Sequence, residues 1–314
     1  MTSHGIKSMT FTEWLMLITL SMIWGGGFFF NAIALRELPP MLVVFGRISV
    51  GSLGLIAVVF MTRQDLRVHL RRWRQLTVLG VFNTALPFFL IVWGQQYIES
   101  GLAAVINATT PAFTILVAHF FTADERFSMR KLSGAALGLG GVATLIGTDA
   151  LMGFGDHVFG QIAIMGAALS YAGAATYARR LPRMSPTVMG CLQLSAASLV
   201  MAPVVLIITR PWELPMPGIE TIAAVIGLGL LCSTIASLIF FRILTSAGAT
   251  NISLVTLFIP FSASTLGITF LGEPFTMRLV IGMLIVSTAA ILIDGRLKLK
   301  RRPPAAQESF EKGS

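Results

Sequence analysis

Glu125-Arg-Phe-Ser-Met-Arg130 and Glu273-Pro-Phe-Thr-Met-Arg278 share Glu, Phe, Met and Arg at identical spacing. A glycine follows each stretch in the same register, at Gly134 and Gly282. A chance similarity of composition does not preserve spacing of this kind, whereas an internal repeat does. The two stretches therefore indicate that the chain is a duplication of one unit.

The same offset, 146 to 149 residues, brings other unusual positions of the two halves together. These pairs are Pro40 with Pro186, Arg47 with Gln193, Pro111 near Pro260, and Trp24 with the neighbouring Tyr171. The halves thus share a plan but differ in side-chain chemistry. Their differences are where we expect substrate choice to be decided.

The composition is that of a membrane protein, with 55% hydrophobic and only 12% charged residues. Soluble domains carry about twice that share of charge. The net charge of +9 does not indicate nucleic-acid binding, because the basic residues lie between apolar runs and form no face interleaved with aromatics. Cys191 and Cys232 both lie in apolar stretches without metal-ligand spacing, so we expect neither metal nor cofactor.

Ten apolar runs are long enough for membrane helices, since a bilayer core of ~30 Å needs about 20 apolar residues. They are continuous rather than alternating, which excludes barrel strands. The predicted spans are 13–35, 41–61, 75–97, 101–122, 130–147, 159–178, 187–209, 219–242, 250–271 and 276–294.

Charge placement predicts the orientation, because loops rich in Lys and Arg stay in the cytoplasm. With the N-terminus inside, 19 of the 23 basic residues fall on the cytoplasmic side. Both termini are then cytoplasmic. The predicted layout is a cytoplasmic segment 1–12, a first repeat 13–147, a periplasmic loop 148–158, a second repeat 159–294 and a basic, disordered tail 295–314.

Each half contains five spans, an odd number, so the second copy enters the membrane from the opposite side. The predicted fold class is therefore an all-α integral membrane protein of ten transmembrane helices, arranged as two inverted five-helix repeats. Such repeats are typical of secondary transporters, which bind substrate near the membrane midplane. The alternative is a duplication that only makes a stable bundle.

Arg47 is the only fully charged residue well inside a predicted span. An intramembrane arginine usually faces a cavity or a partner, so Arg47 is a candidate for binding a substrate carboxylate. The alternative is that it extends toward the membrane surface or bonds to carbonyl groups at a helix end.

Other polar and aromatic residues near the predicted midplane are candidates for a substrate cavity. Trp24 and Tyr171 are the repeat-related aromatic pair that we expect to line it. The alternatives are aromatic packing and hydrogen bonds between helices. The further cavity candidates are Asn83, Trp93, Asn107 and Thr256.

Pro111 and Pro260 fall near the middle of repeat-related spans, where a proline removes one helical hydrogen bond and introduces a kink. They are either hinges for alternating access or fixed kinks that shape packing. Glu125 and Glu273 precede the fifth and tenth spans, where we expect each carboxylate to cap the following helix.

All 14 acidic residues fall in loops, termini or span ends, so the spans lack the buried carboxylate that proton-driven carriers often use. This favours facilitated transport over proton coupling. The chain contains no Walker A sequence, zincin motif or nucleophile elbow, which excludes a self-contained ATP pump and argues against an enzyme.

These features together resemble the EamA-type ten-helix branch of the drug/metabolite transporter superfamily. The resemblance is carried by Trp24-Gly-Gly26, by Pro40 to Arg47, by Pro111 and Pro260, and by the glutamates before the fifth and tenth spans. It implies a carrier that exports small metabolites, amino acids foremost. The aromatics and few amides near the midplane favour neutral and hydrophobic amino acids, and with no apparent organellar targeting segment we expect a bacterial inner membrane. A channel, a membrane enzyme or a scaffold are the alternatives, and the sequence leaves the oligomeric state undetermined.

Overall fold

The computed structural model describes residues 9–121, 129–146, 156–182 and 184–294, and within these ranges it contains helices and no strand. The predicted tail 295–314, most of the loop 148–158 and Glu125 lie outside the described residues. The long helices are α1 (Phe11–Ala34), α2 (Pro40–Met61), α3 (Trp73–Gly94), α4 (Ser100–Phe121), α5 (Met129–Ile146), α6 (Asp156–Ala178), α7 (Pro186–Thr209), α8 (Ile219–Ser246), α9 (249–271) and α10 (Met277–Asp294).

Seven of these helices are long and apolar enough to cross a membrane, and shorter apolar helices lie within α5, α9 and α10. The described helices therefore match the predicted spans one for one. The prediction of an all-helical integral membrane fold is confirmed. The inverted orientation of the two halves stays a prediction.

Local sequence signals explain where several helices begin. α1 starts with a capping box, in which Thr10 and Glu13 satisfy each other's backbone N–H groups. α2 and α7 each begin with a proline, Pro40 and Pro186, at a position where the missing N–H would have had no helical partner. These two prolines are one of the pairs that the repeat predicts.

Three of the described helices contain a π-turn, a local widening that often marks a functional position, and the one in α9 covers Gly267–Leu271. In α3 it covers Val81–Ala85, and Pro87 follows it without an N–H to donate to the preceding turn. In α8 it covers Leu230–Ile235. There the hydroxyls of Ser233 and Thr234 donate to carbonyl oxygens five residues earlier, which satisfies groups that the ordinary helical ladder leaves free.

Helices of the first half pack mainly against helices of the second. α1 packs against α8 and α9, while α6 packs against α3 and α4. α2 contacts α7 and α8, and α7 in turn contacts α3. α4 pairs with α9, and α5 pairs with α10. Each of these contacts maps onto itself or onto another when α1–α5 are exchanged with α6–α10, and the centre of the bundle lies between the halves.

Candidate functional site

Arg47 lies inside the bundle, where only 9% of its surface is exposed. Its Nε donates a hydrogen bond to Ser233 Oγ at 3.3 Å, in the π-turn of α8. Its guanidinium carbon lies 3.7 Å from the ring centroid of Phe88 in α3, a distance typical of cation–π contacts. Residues from both predicted halves therefore hold the cation.

Among the described residues, no carboxylate lies within ion-pair distance of Arg47. Its electrostatic neighbours are the neutral Tyr171 hydroxyl and Cys232 thiol. Its only hydrogen bond is the one from Nε, so the terminal nitrogens Nη1 and Nη2 have no hydrogen bond to a described residue. A buried cation without a counterion is costly, which makes these nitrogens a place for an anionic group.

Trp24 contacts the same π-turn from α1. Its Nε1 donates to Cys232 O at 3.2 Å, and its ring centroid lies 5.6 Å from that of Phe240. Trp24, Tyr171 and Phe240 pack against one buried hydrophobic cluster. The structure thus brings Trp24, Arg47 and Tyr171 together around the π-turn of α8, as an apolar wall beside a cation.

Asn83 lies in the π-turn of α3, and its Nδ2 donates to Gln193 Oε1 of α7 at 3.3 Å. Gln193 is the residue that the repeat pairs with Arg47. Asn83 and Gln193 therefore form the counterpart of the Ser233–Arg47 contact, with a neutral amide in place of the cation. The amide of Asn83 is engaged between helices, which was the alternative to a role in the cavity.

The remaining predicted cavity residues lie elsewhere. Trp93 packs edge-on against Tyr97, with ring centroids 5.0 Å apart. Asn107 ends the first part of α4, and its buried Oδ1 has no hydrogen-bond partner among the described residues. Thr256 Oγ1 donates to Ser253 O at 2.8 Å, where α9 is interrupted. Arg47 makes its hydrogen bond and its ring contact with other residues, so the role of these three in the cavity stays a prediction.

The two prolines differ in their surroundings. Pro111 directly follows an interruption of α4 at residues 108–109, where the Thr109 and Thr110 hydroxyls donate to backbone carbonyls three residues earlier, at 2.6 Å each. Pro260 is buried within the continuous segment Val255–Leu266 of α9. The proposed hinge at either position stays a prediction.

The position of Glu273 in the sequence predicts that it caps α10, but in the structure it does not. Its Oε1 accepts a hydrogen bond from Ser100 N at 2.8 Å and its Oε2 one from Gly101 N at 3.4 Å, both at the start of α4. Thr276 caps α10 instead by accepting from Leu279 N at 3.2 Å. The prediction for Glu273 is therefore wrong, because the nearer hydroxyl takes the cap and leaves the carboxylate free to reach α4.

Glu37 makes a similar contact beyond the end of α1. Its Oε2 accepts from Gly218 N at 2.6 Å, immediately before α8. Both carboxylates lie at the end of the bundle where α1 and α3 end and α4 and α8 begin, which is called the distal end below. No sequence signal distinguishes Glu37 from an ordinary loop residue.

The described residues form long apolar helices without strands, and this arrangement defines the class, an all-helical integral membrane protein. The family profile described as "EamA-like transporter family" matches residues 12–147 and, separately, residues 158–294. The chain belongs to this family and is a membrane transporter.

Several curated proteins are similar over most of their length, and their names indicate transport rather than catalysis. "Uncharacterized transporter YoaV" of Bacillus subtilis is 24% identical over 86% of this chain and 92% of its own. "Uncharacterized transporter YvbV" of the same organism is 27% identical over 91% and 93%. A solved crystal structure, 21% identical and with a TM-score of 0.63, covers 90% of this chain and 96% of its own, and supports the fold alone.

Proposed function

We propose that this transporter exports small solutes that carry a carboxylate and an apolar side chain, neutral and hydrophobic amino acids foremost. The observation that carries this proposal is Arg47, a buried cation whose terminal nitrogens have no described partner. Arginine binds carboxylates through two parallel hydrogen bonds, more specifically than lysine does.

The surroundings of Arg47 suit an apolar side chain. Trp24, Phe240 and Tyr171 pack against one hydrophobic cluster, and Trp24 bonds to Cys232, the neighbour of the Ser233 that bonds Arg47. Pockets of this kind, largely apolar with few well-placed polar groups, bind small molecules and fix their orientation through the polar contacts. A substrate with a carboxylate at one end and an apolar group at the other matches both features.

Alternating access by two inverted halves is the mechanism that we propose. Two observations support it: the family profile matches each half separately, and the contacts between helices correspond when the halves are exchanged. Arg47 and Ser233 meet across the two halves, so a rocking motion would expose the site to one side and then the other.

We further propose that transport is facilitated, in a bacterial inner membrane with both termini in the cytoplasm. No described carboxylate lies next to Arg47 to load and release a proton. The name of a relative, "Uncharacterized inner membrane transporter YedA" of Escherichia coli, and the bias of basic residues toward one side support the location and the orientation.

Counterflow of amino acids in proteoliposomes tests this function. We expect saturable counterflow of at least one neutral amino acid in the wild type and its loss in Arg47→Gln, which removes the cation. Arg47→Lys should keep the charge but raise the half-saturation concentration about tenfold, because it loses the paired contact. An Arg47→Gln carrier that transports with unchanged affinity would contradict carboxylate binding, and flux without saturation would identify a channel.

A further inference from the structure

A carboxylate can approach a guanidinium group side-on, through Nε and one Nη, or end-on, through Nη1 and Nη2. In this structure Nε of Arg47 is already bonded to Ser233 Oγ. The Ser233 hydroxyl donates its own hydrogen to Leu228 O at 3.0 Å, which leaves an oxygen lone pair directed to Arg47. Only the end-on edge of Arg47 is left for a substrate.

The position of Ser233 is fixed by a close approach of two helices. A Cβ added at Gly51 of α2 would lie 2.8 Å from the Cβ of Ser233 and 3.3 Å from Gly229 O, so only glycine fits there. Phe88 covers one face of the guanidinium. The group is therefore held along one edge and on one face.

We propose that Ser233 is a positioning residue that directs the Nη1–Nη2 edge of Arg47 into the cavity, so that the transporter selects planar carboxylates bound end-on. This inference rests on the proposed function. Ser233 does not itself contact the substrate in this arrangement. It acts by occupying Nε and by fixing the plane of the guanidinium.

Ser233→Ala tests this role, with Thr234→Val as its matched control. Thr234 lies in the same π-turn, and its hydroxyl donates to Gly51 O and Gly229 O, at 3.2 Å each, without touching Arg47. In a counterflow assay with a neutral amino acid, we expect Ser233→Ala to raise the half-saturation concentration about tenfold at an unchanged maximal rate. Thr234→Val should leave the half-saturation concentration within about twofold of wild type.

Competition by the carboxamide analogue of the same amino acid separates positioning from general damage. The analogue lacks the carboxylate, so it should inhibit counterflow of the amino acid equally weakly in the wild type and in Ser233→Ala. If Ser233→Ala and Thr234→Val lost affinity for the amino acid equally, or if Ser233→Ala kept wild-type affinity, the inference about Ser233 would be overturned while the proposed function would stand. A folded wild type that shows no counterflow of any carboxylate would overturn the proposed function as well.

A different set of contacts supports a second inference, at the distal end. The loop before α10 sends Glu273 to the start of α4, and the loop after α1 sends Glu37 to the residue before α8. Each carboxylate thus joins its own predicted half to a helix of the other half. The N–H groups at a helix start lack helical partners and carry partial positive charge, so both contacts are charge-assisted.

Glycines make room for both carboxylates. A Cβ added at Gly267 of α9 would collide with the Glu273 carboxylate, and one added at Gly218 would lie 3.2 Å from Glu37 Oε1. The Glu273 carboxylate is therefore partly buried against α9, whereas Glu37 makes its contact at the exposed surface.

Hydrogen bonds connect the Glu273 contact to α1. Gln95 Nε2 donates to Ser100 Oγ at 3.3 Å and to Phe28 O of α1 at 2.9 Å. Asn31 Nδ2, also on α1, donates to Gln95 Oε1 at 2.8 Å. Since α1 also carries Trp24, a movement of α1 at the cavity would strain the contacts at the start of α4.

We infer that Glu37 and Glu273 form a latch that holds the distal end of the bundle closed and must release when the cavity opens to that side. The inference depends on the contacts between the halves and not on the identity of the substrate. It therefore survives if the carboxylate recognition proposed above is wrong.

The latch can be tested by measuring distances between spin labels placed at Arg36 and Phe275. Both residues are exposed, and they lie at the distal end of different predicted halves. In the full chain in lipid nanodiscs, the double variant Glu37→Gln and Glu273→Gln should raise the population with a long distance about tenfold. The control is Glu99→Gln, an exposed residue at the same end that makes no side-chain cap contact, and it should change nothing.

Glu273→Ala, which removes the carboxylate completely, gives a second measurement should the double variant fold poorly. A larger long-distance population in that variant also supports the latch. An unchanged distance distribution in either folded variant would overturn it, as would an equal change in Glu99→Gln.

Discussion

Arg47 is singled out both by the sequence, as a charge inside a predicted span, and by the structure, as a buried cation. A cation inside an apolar helix is stable only with a partner, and among the described residues the structure supplies a hydroxyl and an aromatic ring. The ring is Phe88, which nothing in the sequence singles out among 22 phenylalanines. Only the tertiary structure therefore predicts that Phe88 helps to hold the Arg47 guanidinium.

Phe88→Leu removes the aromatic face but keeps an apolar side chain. A cation–π contact in a desolvated site contributes about 1–2 kcal/mol, so we expect the half-saturation concentration for amino-acid counterflow to rise about fivefold or more. Phe89→Leu is the control, since both rings pack against the same hydrophobic cluster but only that of Phe88 lies under the Arg47 guanidinium. Equal effects of the two substitutions would show that Phe88 contributes only apolar packing.

At the scale of helices, the π-turns of α3 and α8 are the elements that present polar residues at the candidate site. One presents Ser233 to Arg47, and the other presents Asn83 to Gln193. The repeat predicts that Arg47 and Gln193 occupy corresponding places, but not that each meets a polar residue in a widened turn. Such turns depend on side-chain hydroxyls and on neighbouring helices, which hydrophobic periodicity does not reveal.

Gly51→Ala tests how closely α2 must approach the π-turn of α8. The added methyl would meet the Cβ of Ser233 at 2.8 Å, so we expect a loss of about 1–3 kcal/mol in stability and weaker counterflow. Gly173→Ala is the control, because a Cβ there meets nothing within 4 Å. Size-exclusion after heating measures both variants, and equal melting temperatures for Gly51→Ala and wild type would contradict the predicted close packing.

For the whole molecule, the lack of a described carboxylate beside Arg47 has a kinetic consequence in the proposed mechanism. In alternating access, an unoccupied carrier would have to bury the Arg47 charge without an anion, whereas a loaded carrier would pair it with substrate. Return of the empty carrier should therefore be the slower half of the cycle.

Substrate on the far side of the membrane should then accelerate efflux from proteoliposomes by several fold. Arg47→Gln should abolish this acceleration in any residual transport, because the empty carrier no longer buries a charge. The measurement compares tracer efflux with and without external substrate. Equal wild-type rates under the two conditions would contradict the expectation.

The sequence predicted the membrane class and the position of each helix, because the bilayer demands long apolar runs whatever the helices pack against. It also selected Trp24, Arg47 and Tyr171, which the structure brings to one site. It placed Asn107, Trp93 and Thr256 in the same cavity, where the structure shows no contact of theirs with Arg47. Distance from a predicted midplane gives depth in the membrane but not which face of a helix points inward.

Only the tertiary structure decided which residues become partners. Glu273 was predicted to cap its own helix, and it bonds the start of α4, 172 and 173 residues away in sequence. Hydrophobic burial is non-directional and follows from local composition, so sequence alone determines the helices. A hydrogen bond needs two groups at about 3 Å in the right direction, and only the packing of distant helices brings them there.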